Sequence, residues 1–185
     1  TPYETTYAFS QKKKILASRI DLSKTLSKFL IKNKINSKVL INASAIGFYS
    51  KKSMEYDGEV NEVSNGGDSF LSNVCQLNEE SCKIFSDHGM RVSHLRIGMV
   101  LTKKFSLLIG LSSIFSIPIP GIKNNYFPWI HIDDVIGFIH HVLDNNLEGP
   151  FNLISPNAIK HKDFYHTIRK HYRAVIPWII FIPSF

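Results

Sequence analysis

The residues best placed for chemistry follow a short apolar run at positions 39–41. That run has the length of a buried parallel strand, and four small residues come next, Asn42, Ala43, Ser44 and Ala45. Small side chains leave the space beyond the strand end open, and in open α/β sheets ligands bind outside the carboxyl ends of the strands. Gly47 then permits a tight turn. We therefore predict a ligand-binding strand end, although a buried strand running into an ordinary loop would have the same residues.

The cysteines and histidines do not form a metal-binding pattern. Cys75 and Cys82 are predicted to lie on one helix about 10 Å apart along its axis, which is too far for a disulfide. The eight histidines are scattered, and the adjacent His140 and His141 point in different directions on a helix. We expect no metal, and we expect both cysteines to be small buried residues in a reducing compartment.

Length and charge exclude several classes of protein. The 185 residues suffice for one domain with a sizeable core, and no apolar run reaches the roughly 18 residues of a membrane span. The net charge is +7, but the basic residues form small separate clusters, whereas nucleic-acid binders concentrate them in one stripe. We therefore predict no membrane span and no nucleic-acid partner. The clusters are interpreted as solvated surface, and a basic cleft would also suit a phosphate-bearing ligand.

The first half of the chain is predicted to alternate helix and strand. A helix over about residues 10–34 precedes the strand at 38–43, a polar loop covers 50–69, and a second helix runs from about 70 to 88. The buried face of the first helix is expected to contain five apolar residues: Ile15, Leu22, Leu26, Phe29 and Leu30.

The second half continues the same alternation. A strand is predicted over 91–101 with an interruption at Gly98, and an apolar helix over 105–116. A strand at 129–132, a helix to about 144, a strand at 151–154 and a helix over about 160–172 complete the order. Alternating strands and helices predict an α/β fold with a parallel or mixed sheet covered on both faces. The chain contains no G-x-G-x-x-G segment.

Six segments resemble, in order, those of a known family. They are residues 12–19 (K-x-x-I-x-x-S-R), 40–49 (L-I-N-A-S-A-I-G-F-Y), 70–79 (F-L-S-N-V-C, then Glu79), 91–101 (R-V and L-R-I-G-M-V-L), 129–134 (W-I-H-I-D-D) and 149–152 (G-P-F-N). The chain thus resembles the atypical extended short-chain dehydrogenase/reductases called epimerase family proteins, the nucleoside-diphosphate-sugar epimerase-like group.

This resemblance implies a partial NAD(P)-binding, Rossmann-like, doubly wound sheet that is mostly parallel. The Gly-rich first βαβ unit of the family has no counterpart here, so we expect the chain to be a fragment. Residues 1–155 would form the N-terminally truncated core, and 156–185 the start of a truncated C-terminal domain of unknown function. We expect a cytoplasmic protein, with an organelle as the alternative, and a homodimer stays open.

The resemblance assigns a catalytic position to Ser44. In related reductases a Ser or Thr after this strand hydrogen-bonds the reacting oxygen of the substrate, and a Tyr-x-x-x-Lys pair on the next helix supplies the proton. The lysine ammonium lowers the pKa of the phenol from one helical turn away. A small residue that merely ends the strand is the alternative reading of Ser44.

The tyrosine and lysine of that pair are absent. The tyrosine position falls at Val74 or Cys75 and the lysine position at Asn78, and neither Val74 nor Asn78 can act as an acid at neutral pH. Tyr49 or Tyr56 could stand in. Ordinary dehydrogenase or epimerase catalysis is therefore in question.

Cofactor contacts follow from the same resemblance. Arg19, with Lys14 one turn before it, would lie beside the adenosine phosphates of NADP or NAD. Ala43 and Ser44 would lie against the nicotinamide ribose, and Trp129 and His131 would shape the substrate end. Four further residues would flank the nicotinamide: Ile97, Gly98, Met99 and Val100. A surface arginine and a plain buried strand are the structural alternatives.

These residues predict an NADP-dependent oxidoreductase or a nucleotide-sugar epimerase-like protein whose small-molecule substrate is unknown, such as a nucleotide sugar or a carbonyl compound. The missing Tyr-Lys pair supports an alternative: a non-catalytic, cofactor-sensing or partner-binding member of the same superfamily. For the 185 residues alone we expect no tight cofactor binding, because the phosphate-cradling turn is missing.

Overall fold

The computed structural model describes residues 9–49, 60–103, 119–120, 126–171 and 181–182. The chain forms two compact units. The first comprises Thr1–Ile97 with Ile136–Leu153, and the second comprises Gly98–Val135 with Ile154–Phe185. None of the helices in the described segments combines the length and hydropathy needed to cross a bilayer.

Helices and strands alternate much as the sequence predicts. The helices are α1 (Phe9–Lys32), α2 (Phe70–Ser81), α3 (Lys83–Asp87), α4 (Ile132–Asp144) and α5 (His161–His171). The strands are β1 (Val39–Ala45), β2 (Arg91–Ile97), β3 (Met99–Leu101), β4 (Ile119–Pro120), β5 (Tyr126–Phe127), β6 (Trp129–His131), β7 (Gly149–Leu153), β8 (Ile159–Lys160) and β9 (Phe181–Ile182), and a 3-10 turn covers Ile46–Phe48. The predicted helix at 105–116 lies outside the described residues.

The first unit is built on a parallel sheet of three strands in the order β1-β2-β7. The central strand β2 is the most buried, with Ser93 and Leu95 almost inaccessible. Residues 39–41 are only half-buried, so the expectation of a buried strand is wrong for β1. Among the described strands, β1 pairs with β2 on one side only, so its side chains are covered less than those of the central strand.

Helix α1 has the predicted extent but buries a different face. Leu22, Leu26 and Phe29 are 65%, 37% and 56% exposed, whereas Ser23 and Ser27 are buried. The buried positions of α1 are therefore these two serines rather than the three predicted apolar side chains, and α1 packs against α2. Of the five predicted residues, only Ile15 and Leu30 are half-buried.

The predicted helix over 70–88 is in fact two helices that meet at Cys82. Cys82 is buried with Phe85 and Val92, and Leu30 of α1 packs against this cluster. Cys75, in α2, is only half-buried, so the expectation that both cysteines are buried holds for Cys82 alone, and both thiols are free. Gly89 follows α3 with a φ of +78°, a left-handed conformation that favours glycine.

The described residues of the second unit form three short strand pairs. β3 runs parallel to β6, β4 parallel to β9, and β5 antiparallel to β8. The predicted strand over 91–101 is therefore two strands with a break at Gly98. A Cβ atom at Gly98 would lie 2.5 Å from the Pro128 carbonyl oxygen, so the backbone of this unit requires glycine there. Phe127 stacks on Phe164, with ring centroids 4.3 Å apart.

Candidate functional site

A row of polar side chains crosses the three-stranded sheet at one level. The strand register places Ser44 of β1 beside Arg96 of β2, and Arg96 beside Asn152 of β7. We call Ser44, Arg96 and Asn152 the polar row. Because side chains two residues apart share a sheet face, Asn42 and His94 lie on the same face, and the Asn42 amide nitrogen is 3.1 Å from His94 Nδ1.

Helix α2 is fixed to the carboxyl end of β1 and to the turn after it. Ser69 begins the helix by accepting a hydrogen bond from the Ser72 amide, as N-cap serines do. The Ser72 hydroxyl donates to the Phe48 carbonyl oxygen, and Asn78 Nδ2 donates to the Ala43 carbonyl oxygen over 3.1 Å. The predicted lysine position, Asn78, is therefore a buried tether.

The next residue of α2, Glu79, reaches the polar row. The Ser44 hydroxyl donates to Glu79 Oε1 over 2.6 Å. Arg96 donates from Nε to Oε1 over 3.0 Å and from Nη2 to Oε2 over 2.9 Å. This fork geometry is the strong form of an arginine–carboxylate pair. The two side chains are only 5% and 11% exposed, so the pair is held away from water.

The remaining nitrogen of the Arg96 guanidinium also has hydrogen-bond acceptors. Nη1 donates to the Tyr49 hydroxyl over 2.7 Å and to the Glu62 carbonyl oxygen over 3.1 Å. The guanidinium carbon lies 3.5 Å from the centre of the Phe48 ring, a cation–π contact. Burial by itself would lower the pKa of Arg96, but the hydrogen bonds to Glu79 and Tyr49 outweigh it and the pKa is raised.

Tyr49 does not offer a free acid. It is 4% exposed, and its hydroxyl accepts from Arg96 while lying 2.9 Å from both Asn152 Oδ1 and the Asn61 carbonyl oxygen. A phenol has one proton, so that proton is already shared between these two acceptors. Tyr49 thus holds Arg96 and Asn152 in place rather than acting as an acid. Tyr56, the other predicted stand-in, lies outside the described residues.

Cys75 and Glu79 occupy the same helix face one turn apart, which is the spacing of the missing Tyr-x-x-x-Lys pair. A Cβ at Gly47 would lie 4.0 Å from the Cys75 sulfur. Burial raises the pKa of the Cys75 thiol and the Glu79 charge adds to this, whereas the Ala45 amide, Arg19 and Arg96 act in the opposite direction. A carboxylate here has the reverse effect of a lysine, because it keeps its acidic neighbour protonated.

Comparison with known proteins shows where this architecture recurs. No family model matches the chain. An epimerase family protein of Staphylococcus haemolyticus is 30% identical over 181 residues, which are 95% of this chain and 59% of that protein. A nucleoside-diphosphate sugar epimerase from Corynebacterium glutamicum superposes with a TM-score of 0.75 and 31% identity over 89% of this chain and 36% of its own.

The human epimerase family protein SDR39U1, solved with NADPH, superposes with a TM-score of 0.78 and 26% identity, covering 92% of this chain and 59% of the human one. The chain is therefore similar to the epimerase family proteins. This confirms the resemblance and the Rossmann-like, mostly parallel α/β fold. The chain spans about half the length of the curated epimerase family proteins it matches.

The cofactor residues expected from the epimerase family fall into both units. In the first unit, Ala43 is exposed at the end of β1, Ile97 pairs with Ala45, and Arg19 and Lys14 are exposed on α1. Arg19 is near enough for its charge to act on Cys75. Arg19 and Lys14 are exposed cations of the kind that binds phosphate groups, so their chemistry fits a phosphate-bearing cofactor, and their contacts with it stay predictions.

The remaining expected contacts lie in the second unit, and their roles stay predictions. Gly98 has the packing reason already given, Met99 is exposed and Val100 is half-buried. His131 Nδ1 lies 3.4 Å from the Asp133 carboxylate, and both side chains are largely exposed. Trp129 is half-buried in β6.

Sequence reasoning missed Glu79 and Arg96 as parts of the site. Both stood inside the segments that resemble epimerase family proteins, at the end of the α2 segment and in L-R-I-G, but neither received a role. The signal that could have found them is the arginine between Leu95 and Ile97 near the end of a predicted strand, because an arginine buried there needs a carboxylate as partner.

Proposed function

We propose that the protein containing this chain is an NADP-dependent oxidoreductase or a nucleotide-sugar epimerase-like enzyme. The proposal is carried by Ser44, whose hydroxyl is held at the carboxyl end of a parallel strand, where ligands bind in this class of sheet. The NADPH bound to the human relative supports a nicotinamide cofactor. The chain spans about half the length of its curated relatives. The activity, substrate and partners of the whole protein are therefore proposed, not shown.

In this proposal each named residue binds or orients the cofactor or the substrate. Arg19 and Lys14 hold the adenosine phosphates, because an arginine fork matches phosphate geometry. Ala43 and Ser44 lie against the nicotinamide ribose, and residues 97–100 flank the ring. When bound, the cofactor supplies hydride transfer. Ser44 contacts the reacting oxygen of a small-molecule substrate, such as a hydroxyl of a nucleotide sugar or the alcohol form of a carbonyl compound.

The second candidate is a non-catalytic, cofactor-sensing or partner-binding protein. It is favoured by a specific observation: neither the buried Tyr49 nor the thiol of Cys75 replaces the acid of the Tyr-Lys pair. Turnover of any sugar nucleotide or carbonyl compound that is lost in Ser44→Ala would refute this candidate. A homodimer and a cytoplasmic location stay predictions.

The test is a titration of the longest natural form of the protein with NADPH, followed by the fluorescence of the nicotinamide. We expect micromolar or tighter binding. Arg19→Ala should weaken it about tenfold, since one charge-assisted hydrogen bond is worth about 1.5–3 kcal/mol. Lys24→Ala, an exposed cation on the same helix, is the matched control and should change little. A flat titration of the unmodified protein would contradict the proposal.

A further inference from the structure

The proton of the Ser44 hydroxyl already has a fixed destination. The hydroxyl donates to Glu79 over 2.6 Å, within the range of a strong bond from a hydroxyl to a carboxylate. A serine hydroxyl has one proton and two lone pairs. While that proton points at Glu79, Ser44 cannot also donate to a ligand and can only accept.

The acceptor is itself immobilised. Both Glu79 oxygens accept hydrogen bonds from Arg96, and a carboxyl group that accepts through both oxygens from a guanidinium carries no proton of its own to give. Arg96 is held in turn by Tyr49, the Glu62 carbonyl and the Phe48 ring. Turning the Ser44 proton toward a ligand would leave a buried carboxylate oxygen with one partner fewer, which costs free energy.

We propose that Glu79 is a positioning residue that fixes Ser44 as a hydrogen-bond acceptor, so that the ligand group bound there is a hydroxyl and not a carbonyl oxygen. The inference rests on the proposed function in placing a ligand at Ser44. The serine of related reductases is expected to hydrogen-bond the reacting oxygen, and here Ser44 would do so as the acceptor. The hydroxyl can belong to the cofactor ribose or to a substrate alcohol, and both would donate to the same oxygen.

The direct test observes the Ser44 hydroxyl proton by NMR in the longest natural form of the protein without ligand. We expect a hydroxyl resonance, assigned by its loss in Ser44→Ala, that exchanges with water about ten- to a hundredfold more slowly than those of exposed serines. Glu79→Asp keeps the charge opposite Arg96 but withdraws the carboxylate by one methylene, so exchange should become fast. Glu80→Asp makes the same change at the neighbouring exposed residue and should leave the resonance unchanged.

Adding NADPH separates the two sources of the hydroxyl. If the ribose is the donor, Ser44→Ala weakens NADPH binding about two- to tenfold and Ser44→Thr, which keeps a hydroxyl, restores it. If a substrate alcohol is the donor, NADPH affinity is the same in all three proteins. In both cases the slow resonance persists after NADPH is added.

Two outcomes would overturn the proposal. One is a Ser44 hydroxyl that exchanges as fast as those of exposed serines, or that is insensitive to Glu79→Asp. The other is a resonance that loses its protection when NADPH binds, which would show Ser44 turning its proton to the ligand. The ligand-free measurement decides the role of Glu79 even if NADPH fails to bind, so failure of the proposed function is recognised separately.

Discussion

Arg96 keeps a full charge at 4% exposure because its partners surround it. A buried ion pair adds little net stability, since desolvation of the two charges offsets their attraction. Its removal is costly in a different way, because losing one partner leaves the other charge buried and unpaired. Loss of either member of the pair that immobilises Ser44 should therefore lower the stability of the first unit.

Replacing Arg96 alone should destabilise the protein strongly. We expect Arg96→Met to lower the free energy of unfolding by about 3–5 kcal/mol, because it strands the Glu79 carboxylate. The double variant Glu79→Leu/Arg96→Met removes both charges and should recover most of that loss. Arg91→Met, on the same strand, removes one hydrogen bond to the Leu147 carbonyl oxygen and should cost about 1 kcal/mol. Urea unfolding measures all three, and equal stability of the single and double variants would contradict the prediction.

His94 should make the protein sensitive to acid. Burial lowers the pKa of His94 below 6.5, Glu79 opposes this, and Arg96 adds to it. Its Nδ1 faces the Asn42 amide group, and a protonated ring would place a second donor there. Above pH 6.5 the folded and unfolded chains both hold a neutral ring, so the contribution of His94 is complete. As the pH falls through 6.5, the unfolded chain takes up a proton that the folded protein resists, and stability decreases.

The measurement is urea unfolding at about pH 7.5 and about pH 5, where one such group changes the free energy of unfolding by at most about 1.4 kcal/mol per pH unit. His94→Gln should flatten the pH dependence. His88→Gln, a change at an exposed histidine, should leave it intact. An identical slope in the unmodified protein and in His94→Gln would show that the acid sensitivity originates elsewhere.

At the scale of single elements, helix α1 has two stripes of residues that could each form its buried face. Leu22, Leu26 and Phe29 form one stripe, and the half-buried Leu30 with Ser23 and Ser27 forms another. The second stripe is buried because Ser23 and Leu30 meet the Cys82 cluster, with Ser23 Oγ 3.8 Å from the Cys82 sulfur. The buried stripe is thus the one that contacts the Cys82 cluster and not the more apolar one.

Enlarging the buried serine should therefore be worse than enlarging an exposed one. We expect Ser27→Leu to destabilise the protein by about 1–3 kcal/mol, because Ser27 is 3% exposed and the added methylenes overpack the site. Ser18→Leu, the same substitution at an exposed position of α1, should change stability by about 0.5 kcal/mol or less. Thermal or urea unfolding distinguishes them. A larger loss for Ser18→Leu would mean that the buried face of α1 has been assigned wrongly.

At the scale of the whole molecule, the polar row, Glu79 and Tyr49 all belong to the first compact unit. The second unit supplies Gly98, Met99 and Val100, whose cofactor roles are proposed from the family resemblance. The chain spans about half the length of its curated relatives. Repeating the NADPH titration on the 185 residues alone measures how much of the affinity these residues supply. We expect those residues to bind much more weakly than the longest natural form.

The sequence by itself determined the alternation of helices and strands, the extent of α1 and an α/β fold with a parallel or mixed sheet, because these follow from local periodicity and short apolar runs. It also placed Ser44 at a strand end and Gly98 at a break. The predicted helix boundaries were wrong at Cys82, where one predicted helix is two helices. The predicted burial of β1 was wrong because the burial of a strand depends on its neighbours in the sheet and not on local sequence.

Only the tertiary structure decided which polar groups meet. Ser44, Glu79 and Arg96 are separated by 35 and 17 residues along the chain, and no local pattern couples them. The parallel register of β1 and β2 aligns the serine with the arginine, and the docking of α2 brings the carboxylate to both. The direction of the Ser44 hydrogen bond follows from this arrangement, because a carboxylate paired with an arginine accepts hydrogen bonds and has none to donate.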